Sequence, residues 1–69
     1  MLIIFHKTTG EIYSFATGSN QEMSTMFPDT YTELRLTYDE VQIPDQDCPP
    51  TYRLMRYKVD IGTRLLVVK

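Results

Sequence analysis

The sequence contains one cysteine and one histidine, and this scarcity excludes two common ways of stabilising a small protein. Cys48 has no second cysteine with which to form a disulfide, and Cys48 and His6 together cannot supply the four ligands of a structural zinc site. A core built from only 69 residues rarely contributes more than ~3–5 kcal/mol. Association with other chains is the remaining common source of stability. Because small secreted domains are usually rich in disulfides, the composition also favours a reducing compartment.

Long apolar runs and glycine-rich segments are also missing. The longest apolar runs, Leu2–Phe5 and Leu65–Val68, are far shorter than the ~18 residues of a membrane span. Leu2–Phe5 follows no positive charge and is too short for a signal-peptide core. The three glycines are isolated, which excludes a glycine-rich phosphate loop. We therefore expect no membrane segment, no export signal and no nucleotide site.

Few residues could carry out chemistry. Cys48 and His6 form the only possible thiol–imidazole pair, and the sequence offers no third group to orient them. Asp45 and Asp47 resemble calcium ligands, but the loop lacks the glycine and the distal glutamate of an EF-hand. The sequence thus predicts a protein that is not an enzyme, with no catalytic residue, no cofactor and no metal site.

Both ends of the chain have the pattern of a β-hairpin. Leu2–His6 leads through a turn at Gly10 into Glu11–Phe15, and Tyr52–Val59 leads through a second turn into Arg64–Lys69. The first strand is apolar on both faces, which predicts that it is central or covered on both sides. We predict one mainly β (α+β) domain over residues 1–69. It should have about five mostly antiparallel strands, in an open sheet or a small, partly closed barrel, with one short helix.

The middle of the chain supplies the remaining elements. Ser19 and Glu22 have capping-box spacing, and we expect a two-turn helix near residues 20–27 that ends before Pro28. Residues 33–38 alternate between polar and apolar, which predicts a strand with Leu34, Leu36 and Tyr38 inward. Val41 and Ile43 extend its pairing after a kink, and the proline-rich residues 44–50 form a loop.

Charge is divided unevenly along the chain. Residues 1–50 carry two basic and eight acidic side chains, a net charge of −6, whereas residues 51–69 carry five basic and one acidic, a net charge of +4. Basic and aromatic residues interleave in the second part, as on surfaces that bind single-stranded nucleic acid, although the acidic pI of about 5.1 makes nucleic acid an unlikely partner. This basic–aromatic face comprises Tyr52, Arg53, Arg56, Tyr57 and Lys58.

Three segments give the chain a resemblance to a known group of proteins. They are the opening Leu2–Ile12, the middle Tyr38–Val41, and the closing Tyr57–Asp60 with Leu66–Lys69. In these segments the chain resembles short β-rich proteins and modules encoded beside the tail and capsid genes of bacteriophages of Gram-positive bacteria. The resemblance implies a role in the virion or its assembly, without catalytic residues, and a location in the virion or the host cytoplasm.

The sequence therefore predicts a structural or accessory protein of a phage particle that acts through protein–protein contacts. A single-stranded nucleic-acid-binding module and an intracellular inhibitor of a host enzyme are the alternatives. We expect the protein to associate with its own copies or with other virion proteins. An apolar last strand would be either internal, beside Leu2–Phe5, or an edge that pairs with another copy. The residues of this candidate self-association edge are Leu65, Leu66, Val67 and Val68.

Overall fold

The first strand is the centre of the fold. A computed structural model describes residues 1–18 and 21–69. Strand β1 (Leu2–His6) lies between β2 (Ile12–Ala16) and β3 (Tyr38–Gln42) in an antiparallel three-stranded sheet. Three consecutive residues of β1, from Leu2 to Ile4, have no exposed surface. The prediction that this strand is central and covered on both sides is confirmed.

The alternating side chains of β1 divide the core into two clusters, one on each face of the sheet. Leu2 and Ile4 point to one face and pack with Met23, whereas Ile3 and Phe5 point to the other. The cluster around Ile3 and Phe5 is completed by Ile12, Ile43, Leu54 and Val59. The sheet is therefore a middle layer, with helices on one face and the C-terminal third of the chain on the other.

Two short helices cover the Leu2 face. Helix α1 (Met23–Met26) lies within the predicted helix and is shorter than expected. The Ser19 half of the predicted capping box lies outside the described residues. The first amide of α1, that of Met23, donates a hydrogen bond of 2.8 Å to Oε2 of Glu40. A carboxylate from β3 thus caps α1, which fixes the helix to the sheet.

The strand predicted over residues 33–38 is wrong. Helix α2 (Tyr31–Thr37) occupies this segment, and β3 begins only at Tyr38. Tyr31, Leu34 and Tyr38 follow helical spacing and pack against the Leu2 cluster, while Leu36 is 74% exposed. Leu34 fits both an alternating and a helical pattern. The helix is the observed form because it also packs Tyr31 against the Leu2 face of the sheet. The part of the chain that the structure describes nevertheless contains five strands, in agreement with the prediction of about five.

The C-terminal third is a hairpin preceded by two 3-10 turns, at Asp45–Asp47 and Thr51–Arg56. The predicted strand Tyr52–Val59 is therefore wrong over its first five residues, and only β4 (Tyr57–Val59) is extended. In an extended strand Met55 would share the inward face of Val59, and Leu54 would lie on the opposite face. The 3-10 turn instead buries Leu54 completely and leaves Met55 65% exposed. Strand β5 (Leu66–Val68) pairs antiparallel with β4.

The two sheets are joined at the first hairpin. Glu11 forms an isolated antiparallel bridge with Lys58, and the amide of Val59 donates to the carbonyl oxygen of Gly10 at 2.8 Å. The sheet β3-β1-β2 and the hairpin β4-β5 remain two sheets, but this bridge beside the start of β2 places their strands in the order β3-β1-β2-β4-β5. Each strand runs antiparallel to its neighbour. Within residues 1–18 and 21–69 the strands do not close into a barrel, since β1 has β2 and β3 as neighbours and β5 pairs only with β4. The alternative in which Leu65–Val68 is internal beside β1 is therefore wrong.

Gly10 is the point at which the two sheets come closest. Its φ of +77° lies in the left-handed region, as the turn chemistry predicted, and a Cβ atom there would overlap the carbonyl oxygen of Val59. We expect Gly10→Ala to lower the free energy of unfolding by about 2–4 kcal/mol, through backbone strain and displacement of β4.

Gly18→Ala is the matched control. Its φ is also positive, at +105°, but the nearest side-chain atom among the described residues is 3.9 Å from the added Cβ. We therefore expect this change to lower the free energy of unfolding by only about 1 kcal/mol. Urea unfolding measures both, and equal losses would contradict the close approach at Gly10.

Candidate functional site

Strand β5 has one paired edge and one open edge. The amide of Asp60 donates to the carbonyl of Leu65 at 2.8 Å, and the amide of Lys69 donates to that of Arg56 at 3.0 Å. In an antiparallel pair the bonding residues alternate, so the N–H and C=O groups of Leu66 and Val68 point away from β4. Among the described residues none of these groups has a backbone partner. Leu65 and Val68 beside them are 59% and 69% exposed.

Strand β3 has a second open edge. The amide of Lys7 donates to the carbonyl of Thr37, and the amide of Ile43 donates to the carbonyl of Met1. Because bonding residues alternate along an antiparallel strand, the N–H and C=O groups of Tyr38, Glu40 and Gln42 point away from β1. The outward carbonyl of Glu40 accepts from Nη2 of Arg64 at 2.6 Å. Within the described ranges no hydrogen bond reaches the backbone of Gln42.

The open edges of β3 and β5 face a common groove. Its volume is about 460 Å³, within the roughly 300–1,000 Å³ typical of ligand-binding clefts. One wall carries Gln42 and the other Leu66, and the floor continues the Ile3 cluster through Val41 and Ile43. The complete lining is Val41, Gln42, Ile43, Pro44, Asp47, Arg64, Leu65 and Leu66.

Arg64 closes one end of this groove. Its guanidinium donates to Oδ2 of Asp39 at 2.9 Å as well as to the Glu40 carbonyl, and it lies 5.6 Å from the centre of the Phe5 ring. Arg64 has a φ of +60° in the turn between β4 and β5. This turn is held by Asp60, whose Oδ1 accepts from the amides of Gly62 and Thr63 at 2.8 and 3.1 Å. The hairpin is thereby fixed across the groove to β3.

The electrostatics of the groove follow from these contacts. Burial alone would raise the pKa of Asp39, but the hydrogen bonds from Arg64 and the Glu40 amide, with the charges of Arg64 and Lys7, outweigh burial and lower that pKa. Asp47 lines the groove with no side-chain hydrogen bond or ion pair among the described residues. Since the charge of Arg64 is engaged by Asp39, the groove keeps an uncompensated negative charge.

The residues of the basic–aromatic face lie on two consecutive elements. Tyr52, Arg53 and Arg56 lie on the 3-10 turn, and the Arg53 guanidinium sits over the exposed Tyr52 ring at 5.7 Å. Tyr57 and Lys58 belong to β4, where Tyr57 packs against the Ile3 cluster. Because the Tyr57 ring is half-buried, it offers less surface for stacking on a base than the exposed Tyr52 ring does.

The structure does not bring Cys48 and His6 together. Cys48 packs against the Ile3 cluster, where burial, together with Asp45 and Asp47, raises the pKa of its thiol. His6 lies at the opposite face, where its ring meets Tyr38 edge-on and Nδ1 lies 3.0 Å from Oγ1 of Thr8. In residues 1–18 and 21–69, no group of three acidic, histidine or cysteine side chains is arranged to hold a metal ion. None of the helices in those ranges has the length and apolar character of a membrane span.

The sequence indicated only one wall of the groove. Leu65 and Leu66 belong to the predicted self-association edge, whereas Gln42, Pro44 and Asp47 of the opposite side were not identified as site residues. No local pattern marks them, because β3 and β5 meet only through the tertiary fold. The signal in the sequence was that Leu65–Val68 is apolar on both faces of a strand.

Comparison with known proteins finds no matching family model, no matching curated protein and no matching solved structure.

The Asp39–Arg64 pair predicts a pH dependence of stability. Because folding lowers the pKa of Asp39, its contribution is present above the unfolded value of about 3.9 and is lost as pH falls through the folded value. We expect Asp39→Asn to cost about 0.5–1 kcal/mol at neutral pH, a value reduced by solvent screening of this half-exposed pair. The cost should vanish in strong acid. Asp47→Asn is the control and should show no such pH dependence. An equal cost of Asp39→Asn at neutral pH and in strong acid would contradict a stabilising Asp39–Arg64 pair.

Proposed function

We propose that this chain is a non-enzymatic structural or accessory protein of a phage particle and that it acts through protein–protein contacts. The phage setting is supported by the resemblance of Leu2–Ile12, Tyr38–Val41 and the C-terminal segments. The mode of action is supported by one observation, the open edge of β5 between the exposed side chains of Leu65 and Val68. Exposed strand edges readily accept a strand from another chain.

A second copy provides the simplest strand for this edge. Pairing of two β5 strands about a two-fold axis at Val67 would place Leu66 of each copy opposite Val68 of the other. The outward N–H and C=O groups of these two residues would then form four hydrogen bonds between the copies. The two hairpins would become one four-stranded sheet.

The uneven distribution of charge along the chain contributes little to this contact. Arg64 is engaged by Asp39 at 2.9 Å, and Nζ of Lys69 lies 4.0 Å from Oε1 of Glu11. Both pairs join the basic C-terminal part to the acidic remainder within one chain. The backbone register, rather than opposed charge, therefore sets the orientation of the copies in this proposal.

Val68→Pro tests the edge directly. Proline removes the outward N–H of residue 68 while leaving the bonds between β4 and β5 intact, which is the position at which strands tolerate it. Sedimentation at micromolar concentration should show self-association of the unmodified protein. Loss of two of the four hydrogen bonds should weaken that association by about tenfold or more in Val68→Pro.

Val68→Thr is the matched control, since it keeps the N–H group and the branched shape and should associate like the unmodified protein. An unmodified protein that stays monomeric at all salt concentrations would overturn self-association through β5. Equal association of the proline and threonine variants would do the same, because the contact would then lie elsewhere.

The phage setting has a separate test in the genes beside the one that encodes this chain. We expect tail or capsid genes among them. A metabolic operon without phage genes would contradict the virion role and leave the β5 contact unaffected.

A further inference from the structure

The groove between β3 and β5 has the backbone chemistry of a missing strand. On one side the N–H and C=O groups of Gln42 point into it, and on the other side those of Leu66 do. At the closed end the Arg64 guanidinium donates to the outward carbonyl of the half-buried Glu40, whereas Gln42 at the open end is exposed and its outward groups are accessible to an added strand. Beyond Arg64 nothing in the described ranges bonds to the Gln42 backbone.

Strand direction determines what can fill this gap. Each strand in the order β3-β1-β2-β4-β5 runs antiparallel to the next, so β3 and β5 run in the same direction. One added strand can therefore run antiparallel to both of them. A sixth strand would complete an alternating antiparallel barrel, an arrangement that leaves no open edge.

The strand that fills the gap must have two free edges. In a second copy β5 has only one, because β4 covers the other. Such a strand can pair with β5 but not with β3 at the same time. A single extended segment of a different protein meets both requirements, as in other complexes formed by strand addition.

The lining indicates the sequence of that segment. The floor of the groove is apolar, formed by Val41, Ile43 and Leu66 of the Ile3 cluster, so side chains that point inward should be apolar. Those alternate with side chains that point to solvent. Asp47 at the rim has no partner among the described residues and should favour a lysine or arginine.

We propose that this groove binds an extended segment of a partner protein, alternately apolar and carrying a basic residue, as a strand antiparallel to both β3 and β5. The proposal rests on the proposed function, since it uses the open edge of β5 as a protein contact, and it adds β3 as the second wall. Because the same groups of Leu66 would serve both contacts, the segment and a second copy compete.

The test uses the full chain and a displayed library of short extended peptides with alternating valine or isoleucine and one variable position of lysine, glutamate or threonine. Selected peptides should carry lysine. On binding, hydrogen exchange of the Gln42, Leu66 and Val68 amides should slow by about tenfold or more. The bound peptide should also dissociate any self-associated protein. Failure of every peptide to protect the Gln42 amide would overturn the proposal.

Two matched pairs of variants give the test its specificity. Gln42→Pro removes the outward N–H of β3 and should abolish binding. Gln42→Ala keeps this N–H and loses only the side chain, with its hydrogen bond to the Gln21 carbonyl, so it should bind at least tenfold more tightly than Gln42→Pro; thermal unfolding verifies that both are folded. Asp47→Lys should weaken the lysine peptide by about threefold to tenfold and strengthen the glutamate peptide, and Asp47→Asn should remove the preference.

The outcomes separate this proposal from the proposed function. Protection of Leu66 and Val68 without Gln42, unaffected by Gln42→Pro, would mean addition to β5 alone and would overturn the groove site while the β5 contact stands. Groove binding by a protein that never self-associates would support the site and overturn self-pairing of β5. Selection of acidic peptides would overturn the assigned partner chemistry.

Discussion

Burial of β1 on both faces is the constraint on which the rest of the structure depends. Leu2 and Ile4 require a cover on one side of the sheet, and Ile3 and Phe5 require another on the opposite side. A chain of 69 residues has little material for two covers. The first cover is two short helices, and the second is a hairpin of two three-residue strands with its preceding 3-10 turn. Neither cover extends around the sheet, so the outer edges of β3 and β5 remain open.

Arg64 links the two open edges without pairing them. Direct pairing of β3 with β5 would be parallel, a less stable arrangement than the antiparallel pairs elsewhere in the fold. A guanidinium spans the gap instead, joining Asp39 and the Glu40 carbonyl to the hairpin turn. The Arg64 side chain fixes the distance between the open edges of β3 and β5 and thereby keeps the groove between them open. The left-handed backbone at Arg64 places the side chain there.

The features that could be predicted from the sequence are those set by neighbouring residues. The first hairpin, the left-handed Gly10 and the two-faced burial of β1 follow from turn chemistry and from a period of two. Helix α2 was missed because residues near Leu34 fit both periods, and only the sheet face decides between them. The 3-10 turn was missed because burial of Leu54 overrides the alternation around it. The groove was beyond prediction, since Gln42 and Leu66 approach each other only through the order of five strands.

The open edge of β5 lacks the usual protection against pairing, and the reason lies in the same small size. Charged side chains, lysine above all, commonly guard such edges. Here the two cations that flank β5 are engaged elsewhere: Arg64 stabilises the groove through Asp39, and Lys69 reaches toward Glu11 to support the junction of the two sheets. A larger protein could assign separate residues to stability and to edge protection. In this chain the contacts that hold the hairpin in place engage the charges that flank its edge, and the apolar side chains of Leu65 and Val68 remain exposed there.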